Sequence, residues 1–137
     1  MGMVYTEITL KNTGDVAACN RGYMKEEDIR QATVQAIVDT GAATLVINDE
    51  LRKQLGLEMR GTGHARQADN KSILVNVAEP VEVHWKNRNM TCKPWIVSDS
   101  GKVLLGAIPL ENMDLMVDPA QEALVGRHGE EQIGNLY

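Results

Sequence analysis

The segment with the most chemical content is Ala36-Ile37-Val38-Asp39-Thr40-Gly41-Ala42. Apolar residues precede Asp39 and Gly41-Ala42 follow it, so the sequence carries a carboxylate from the end of a buried strand into a tight loop. Gly41 permits a backbone approach that a side chain would block. Thr40 can hydrogen-bond the loop or its neighbour. A carboxylate presented this way is the group that general acid–base chemistry uses. The same tripeptide also suits a plain turn closed by an aspartate hydrogen bond, so a second element must decide between the readings. It lies about sixty residues on, where Val103-Leu104-Leu105-Gly106-Ala107 reads as a short apolar strand ending in glycine, with a short helix at Pro109-Leu110-Glu111-Asn112-Met113.

Other reactive groups are scattered. A hairpin with a two-residue loop at Asn87-Arg88 sets Trp85 opposite Met90 and Val83 opposite Cys92 on one face. His84 then faces Thr91 on the other, with Lys86, Asn89, Glu82 and Lys93. His84 and Cys92 on opposite faces are poor co-ligands, and His64 and His128 have no partner at metal-site spacing. Neither a metal nor a cofactor is expected.

The elements that position Asp39 follow from periodicity. Val4 to Leu10 alternates as a half-buried strand, broken at Asn12-Thr13-Gly14-Asp15. Residues 16–31, with the charged run Lys25-Glu26-Glu27-Asp28, read as a long solvated connection holding at most one helical turn. Thr33–Val38 is the strand that delivers Asp39, and Ala43–Ile47 is a third. A helix follows: Asn48 is its N-cap, Asp49 and Glu50 sit at its positive end, and Gly56 suits the position after its last turn. Leu51 and Leu55 share a face, and Leu57 can fold back on it. Residues 60–78 form a hairpin with Asp69-Asn70 at the tip. Its arms show no clean apolar face, so it projects from the body. Trp95-Ile96-Val97 ends the next region, Asp99-Ser100-Gly101 turns the chain, and a last hairpin joins Leu115–Val117 to Ala123–Val125 around Asp118-Pro119.

Composition bounds the rest. The chain has 137 residues, 43% hydrophobic and 24% charged, with two Trp, three Tyr and no Phe. That suits one globular domain with an aliphatic core. Fourteen Lys+Arg against nineteen Asp+Glu give a net charge of −5 without a basic run, unlike a nucleic-acid binder. No apolar stretch approaches the roughly 20 residues of a membrane helix. The first residues lack the charged and apolar regions of a signal peptide. Gly2 and Thr6 match a loose myristoylation pattern, but Val4 onward reads as a strand, which is preferred. Cys19 and Cys92 are expected as free thiols in a cytoplasmic protein. The domain is placed at residues 1–125, with a polar tail at 126–137 expected to be mobile or docked on a partner, which the family resemblance below would make a dimer interface.

Taken together, Ile37–Ala42 and Val103–Ala107 resemble the paired motifs of the retroviral-type, or retropepsin-like, aspartic proteases, and especially of bacterial single-domain relatives. The resemblance covers roughly residues 4–125. It implies an all-β half-barrel with one or two short helices, whose active site forms in a homodimer. It further implies that Asp39 is catalytic, that Thr40, Gly41 and Ala42 support the loop, and that Leu104, Leu105 and Gly106 thread behind it. Ala68, Asp69, Asn70 and Lys71 fall where the substrate-covering flap belongs. The implied activity is peptide-bond hydrolysis by water held between two Asp39 carboxylates, one per subunit. The partners are then a second copy and a peptide or protein substrate, not nucleic acid or membrane. A non-catalytic dimeric peptide-binding module on the same fold is the alternative. Asp99-Ser100-Gly101 matches a variant found in two-lobed aspartic proteases. However, Ser98 stands where an apolar residue is expected, Lys102 follows, and one domain cannot supply two sheets. The chain departs from the retroviral plan in its flap tip, which lacks glycine, in the longer 16–31 connection, and in the helix after residue 47.

Overall fold

The computed structural model describes residues 2–97 and 101–136. The strands are β1 (Val4–Asn12), β2 (Gln31–Val38), β3 (Val46–Ile47), β4 (Met59–Arg66), β5 (Ser72–Ala78), β6 (Val81–Trp85), β7 (Arg88–Cys92), β8 (Trp95–Ile96), β9 (Leu104–Leu105), β10 (Leu115–Asp118) and β11 (Ala123–Gly126). The helices are α1 (Thr13–Asn20), α2 (Asp49–Gln54) and α3 (Ala107–Asn112). Nine strands form one sheet in the order β4-β5-β8-β3-β9-β2-β1-β6-β7, and β10-β11 form a second. The large sheet curls into a half-barrel.

The alternation read in β1 is real and runs two residues further than expected. Val4, Ile8 and Leu10 are buried, while Tyr5 and Glu7 are exposed. β1 pairs antiparallel with β2 from Val4↔Val38 to Lys11↔Gln31, and with β6 on its other edge. The inner face of β1 packs into an aliphatic core with Leu45, Ile47, Leu55, Leu105 and Met113. Among the described residues no helix is long and apolar enough to cross a membrane.

The connection read over residues 16–31 as solvated with one helical turn is more structured than that. α1 runs into it, and a 3-10 turn follows at Glu26–Asp28. α1 has no apolar stripe, and its one buried residue is Asp15, so hydrophobic periodicity could not reveal it. Polar contacts hold it instead. Asn12 caps it by accepting from Asp15 N at 3.0 Å and donating to Leu55 O at 2.8 Å. The Asp15 carboxylate accepts from Arg30 Nε at 2.8 Å, Nη2 at 2.9 Å and backbone N at 3.0 Å. An Asn cap with an acidic residue three positions on is a local helix-start signal.

α2 forms as expected. Asn48 accepts from Leu51 N at 2.8 Å. Gly56, at φ 67°, ends the helix, with its N–H on Lys53 O and that of Leu57 on Arg52 O. This 5→2 and 6→1 pair is the Schellman arrangement, which favours glycine at the left-handed position. The third strand is shorter than read, with residues 41–44 belonging to the loop after Asp39. β9 is likewise trimmed to Leu104–Leu105, α3 starts two residues earlier than read, and the β10–β11 hairpin forms around Asp118-Pro119.

The β6–β7 hairpin keeps the face assignments but not the register. Trp85 lies opposite Arg88, Val83 opposite Met90 and Val81 opposite Cys92, so the loop is Lys86-Asn87 and not Asn87-Arg88. A two-residue slip preserves faces, because side chains alternate with a period of two. It brings Arg88 onto the inner face, where it is 2% exposed. Its guanidinium donates to the carbonyls of Met113, Asp114, Gly129 and Glu131 at 2.6–3.1 Å. His128 Nδ1, at 2.6 Å, and Ile133 N, at 3.0 Å, both meet the Asp114 carboxylate. Residues 127–133 are therefore tied to the body of the chain. The turn read at Asp99-Ser100-Gly101 falls partly on residues 98–100, outside the described residues.

The hydrogen bonds from Arg30 hold the Asp15 carboxyl below its ordinary 3.8, outweighing the opposing effect of burial. A folded-state value below the unfolded one adds stability above the unfolded value, and that stability is lost as pH falls through the lowered one. Urea midpoints of wild type and Asp15→Asn, measured from about pH 7 to about pH 2, are expected to differ at neutral pH, to begin converging below 3.8, and to meet below the lowered folded-state value.

Candidate active site

Asp39 leaves β2 at the centre of the sheet. β2 and β9 run parallel, pairing Ile37 with Leu104 and Val38 with Leu105. Ile37 N donates to Val103 O at 2.8 Å, and Asp39 N to Leu105 O at 3.0 Å. The loop then closes on itself, with Ala42 N on Asp39 O at 3.1 Å and Gly41 N on Asp39 Oδ1 at 2.9 Å. The chain after β9 fixes its far side through Ala107 N to Ala42 O at 2.8 Å and Ile108 N to Ala43 O at 3.0 Å.

These bonds require Gly106 to lie against the loop. A Cβ there would collide with Thr44 O and sit 2.6 Å from Ala42 O and 2.8 Å from Thr44 N. All three are backbone atoms with nowhere to move. Leu105 is fully buried behind the loop. Gly41 is crowded less, since a Cβ would stand 3.2 Å from Asp39 Oδ1. Thr40 is exposed, and among the described residues its hydroxyl has no hydrogen-bond partner.

Asp39 opens into a cleft of about 820 Å³ between the Asp39 loop and the β4–β5 hairpin. Of the residues expected at the site, Asp39, Gly41, Ala42, Ala68 and Leu104 line it. Asp69, Asn70 and Lys71 form the hairpin end and do not line the cleft. Asn70 adopts the left-handed conformation expected at the tip, φ 69°, and Lys71 N caps Asp69 Oδ1 at 3.1 Å.

The hairpin corrects the reading that its arms lack an apolar face. The register pairs Gly63 with Val75 and Ala65 with Ile73 on one face and His64 with Leu74 and Arg66 with Ser72 on the other, and His64, Arg66 and Gln67 also line the cleft. Val75 is buried, whereas Leu74 is 64% exposed. Glycine and alanine along β4 thin the Val75 face in the sequence, which hid it. The reading also missed Trp95, Val97 and Val46 as lining residues. Their signal was present, because Trp95 and Val97 alternate around the core residue Ile96.

A second hollow of about 600 Å³, between the β6–β7 turn and residues 125–130, does not include Asp39. Burial pushes the Cys92 thiol up to about 11, against hydrogen bonds from Thr44 and Leu45 that favour the thiolate. It stays protonated at neutral pH, which disqualifies it as a nucleophile. Among the described residues no three His, Cys, Asp or Glu side chains cluster closely enough to hold a metal ion.

The family model for aspartyl proteases matches residues 27–127, from before β2 to the end of β11. The chain belongs to the aspartyl protease family. No curated protein matches it. Among solved structures it is similar to the retroviral protease-like domain of Ddi1 from Leishmania major, at 16% identity and a TM-score of 0.56, with 91% of this chain and 88% of that one covered. It is similar also to EIAV protease in complex with the inhibitor HBY-793, at 15% identity and a TM-score of 0.56, covering 81% and 88%. At these identities the likeness is one of fold, and it makes the half-barrel retropepsin-like.

Gly106→Ala tests the positioning. The substitution must move backbone rather than a side-chain end, so a loss of stability of about 1–3 kcal/mol is expected, measured by urea unfolding. A loss under about 1 kcal/mol would mean that the loop yields easily.

Proposed function

We propose that the chain is an aspartic endopeptidase that works as a homodimer, with Asp39 of each subunit facing the other across a two-fold axis. The observation that carries this is the setting of Asp39. Backbone bonds from a distant strand fix it, the Gly41 N–H orients it, and it opens into a cleft roofed by a hairpin. One domain supplies one such carboxylate, and a symmetric pair supplies two. The exposed Thr40 hydroxyl, unpaired within its subunit, is placed to brace the partner's loop.

Paired carboxylates in aspartic proteases stand about 3 Å apart and share one proton, because both cannot ionise at that separation. The ionised carboxylate takes a proton from water, whose oxygen attacks the scissile carbonyl carbon. The protonated carboxyl gives its proton to the carbonyl oxygen. In the diol's collapse the carboxyl that took the water proton gives it to the nitrogen, the C–N bond breaks, and a diol hydroxyl gives its proton to the other carboxylate as the new carboxyl forms, which restores the shared proton. The hairpin from β4 and β5 would cover the substrate, with Ala68 on its underside and Asp69, Asn70 and Lys71 at its end.

Asp39→Asn should lower kcat/KM on peptides by about 10³-fold or more while leaving the unfolding transition in place. Cleavage of a peptide library, read by mass spectrometry for both proteins, measures this. Undiminished cleavage by Asp39→Asn would exclude Asp39 as the catalytic group. If neither protein cuts but both bind peptides, the binding-module reading stands instead.

A further inference from the structure

Most of the arginines have a partner within the chain. Arg30, Arg52, Arg60 and Arg127 each pair with a carboxylate, and Arg88 donates to backbone carbonyls. Arg66 differs: among the described residues its guanidinium makes no hydrogen bond or ion pair. It is also the one arginine that lines the cleft with Asp39. A guanidinium carries five donors, no acceptor and a permanent charge, so an unpartnered one in a cleft marks a place for an acceptor.

The charges around it favour an anion. Asp39 is the sole carboxylate in the cleft lining among the described residues, and the other polar side chains there, His64, Gln67 and Trp95, can all donate hydrogen bonds. The hairpin tilts the same way. Arg60 at its base is neutralised by Glu79 at 3.0 Å. Between Gly61 and Ala78 that leaves the Arg66 and Lys71 cations against Asp69, whose Oδ1 already accepts from Lys71 N at 3.1 Å. This cationic roof belongs to a chain whose net charge is −5. Pairing of two subunits sharpens the imbalance. Two Asp39 sharing one proton carry one negative charge between them, whereas two Arg66 carry two positive charges.

Building on the endopeptidase reading, we infer that Arg66 selects substrates carrying an acidic side chain, aspartate or glutamate, near the scissile bond. A peptide filling the cleft displaces water from the guanidinium, and a charge desolvated without a counter-charge is costly. A substrate carboxylate supplies that counter-charge and matches the guanidinium fork with two parallel hydrogen bonds. A peptide carbonyl is a weaker, uncharged acceptor. Every substrate carries one, so it gives no choice between substrates. A lysine or arginine side chain in the same place would meet a like charge. The two-fold axis adds a second consequence. One Arg66 stands over each half of the cleft, so acidic residues are favoured on both sides of the scissile bond, at positions the axis relates.

Peptides that differ only by Glu against Gln, or Asp against Asn, separate charge from shape, and amidated C-termini remove the terminal carboxylate as a competitor. Each position on both sides of the scissile bond is scanned in turn. Wild type is expected to cut the acidic member with a kcat/KM about fivefold higher or more at one position on each side. The preference should shrink as salt rises from about 0.05 to about 0.5 M. Arg66→Ala should abolish it, and Arg66→Glu should reverse it toward lysine. Each comparison is a ratio within one protein, so a general loss of activity does not mimic the effect. Equal cutting of Glu and Gln peptides by wild type overturns the inference, and so does an acidic preference that survives in Arg66→Glu. Peptide capture by Asp39→Asn separates selection from catalysis. Acidic-selective capture that is lost when Arg66→Glu is added, by a protein whose wild type never cuts, would uphold Arg66 and refute the endopeptidase. Cutting without an acidic preference would refute Arg66 alone, whereas neither capture nor cutting would refute both.

Discussion

The site depends on a close backbone contact between segments far apart in the chain. Gly106 lies against Ala42 and Thr44 at a separation that leaves no room for a side chain. That contact lets Leu105 O receive Asp39 N and lets Ala107 N reach Ala42 O. The loop bearing the carboxylate is thus clamped from behind by β9 and the start of α3. Once the loop is fixed, the orientation of Asp39 needs one further bond, from Gly41 N. The aliphatic core contributes bulk stability, but this backbone clamp sets where the carboxylate points.

The cleft follows from the same arrangement. β3 and β8 extend the sheet past β9, and β5 carries it on into the hairpin. The floor and the roof therefore belong to one continuous sheet, and Asp39 lines the cleft between them. The Arg88 clamp and the Asp114–His128 contact fold residues 127–133 back onto the body of the chain.

Much of this was legible in the sequence, for identifiable reasons. The two motifs could be read because Asp39 and Gly106 are chemically distinctive residues at the ends of apolar strands. β1, β2 and α2 could be read because their buried residues follow a period of two or a pair of helix caps. The parts that escaped rest on polar contacts. α1 has no apolar face, and its stability runs through Asn12, Asp15 and Arg30. Arg88 read as a turn residue because a buried arginine is rare, and its carbonyl partners lie 25 to 43 positions away. The apolar face of the hairpin was hidden by glycine and alanine along β4, where the cross-strand partners Ile73 and Val75 supply the apolar surface.

The central claim, a site shared by two copies of Asp39, is tested most directly by subunit mixing. Wild type and Asp39→Asn are combined in varying ratio at constant total concentration, allowed to exchange, and assayed on one peptide. If each site needs both carboxylates, activity falls as the square of the wild-type fraction, leaving about a quarter at an equal mixture. A linear fall, with about half remaining, would mean that each subunit works alone and would contradict the account.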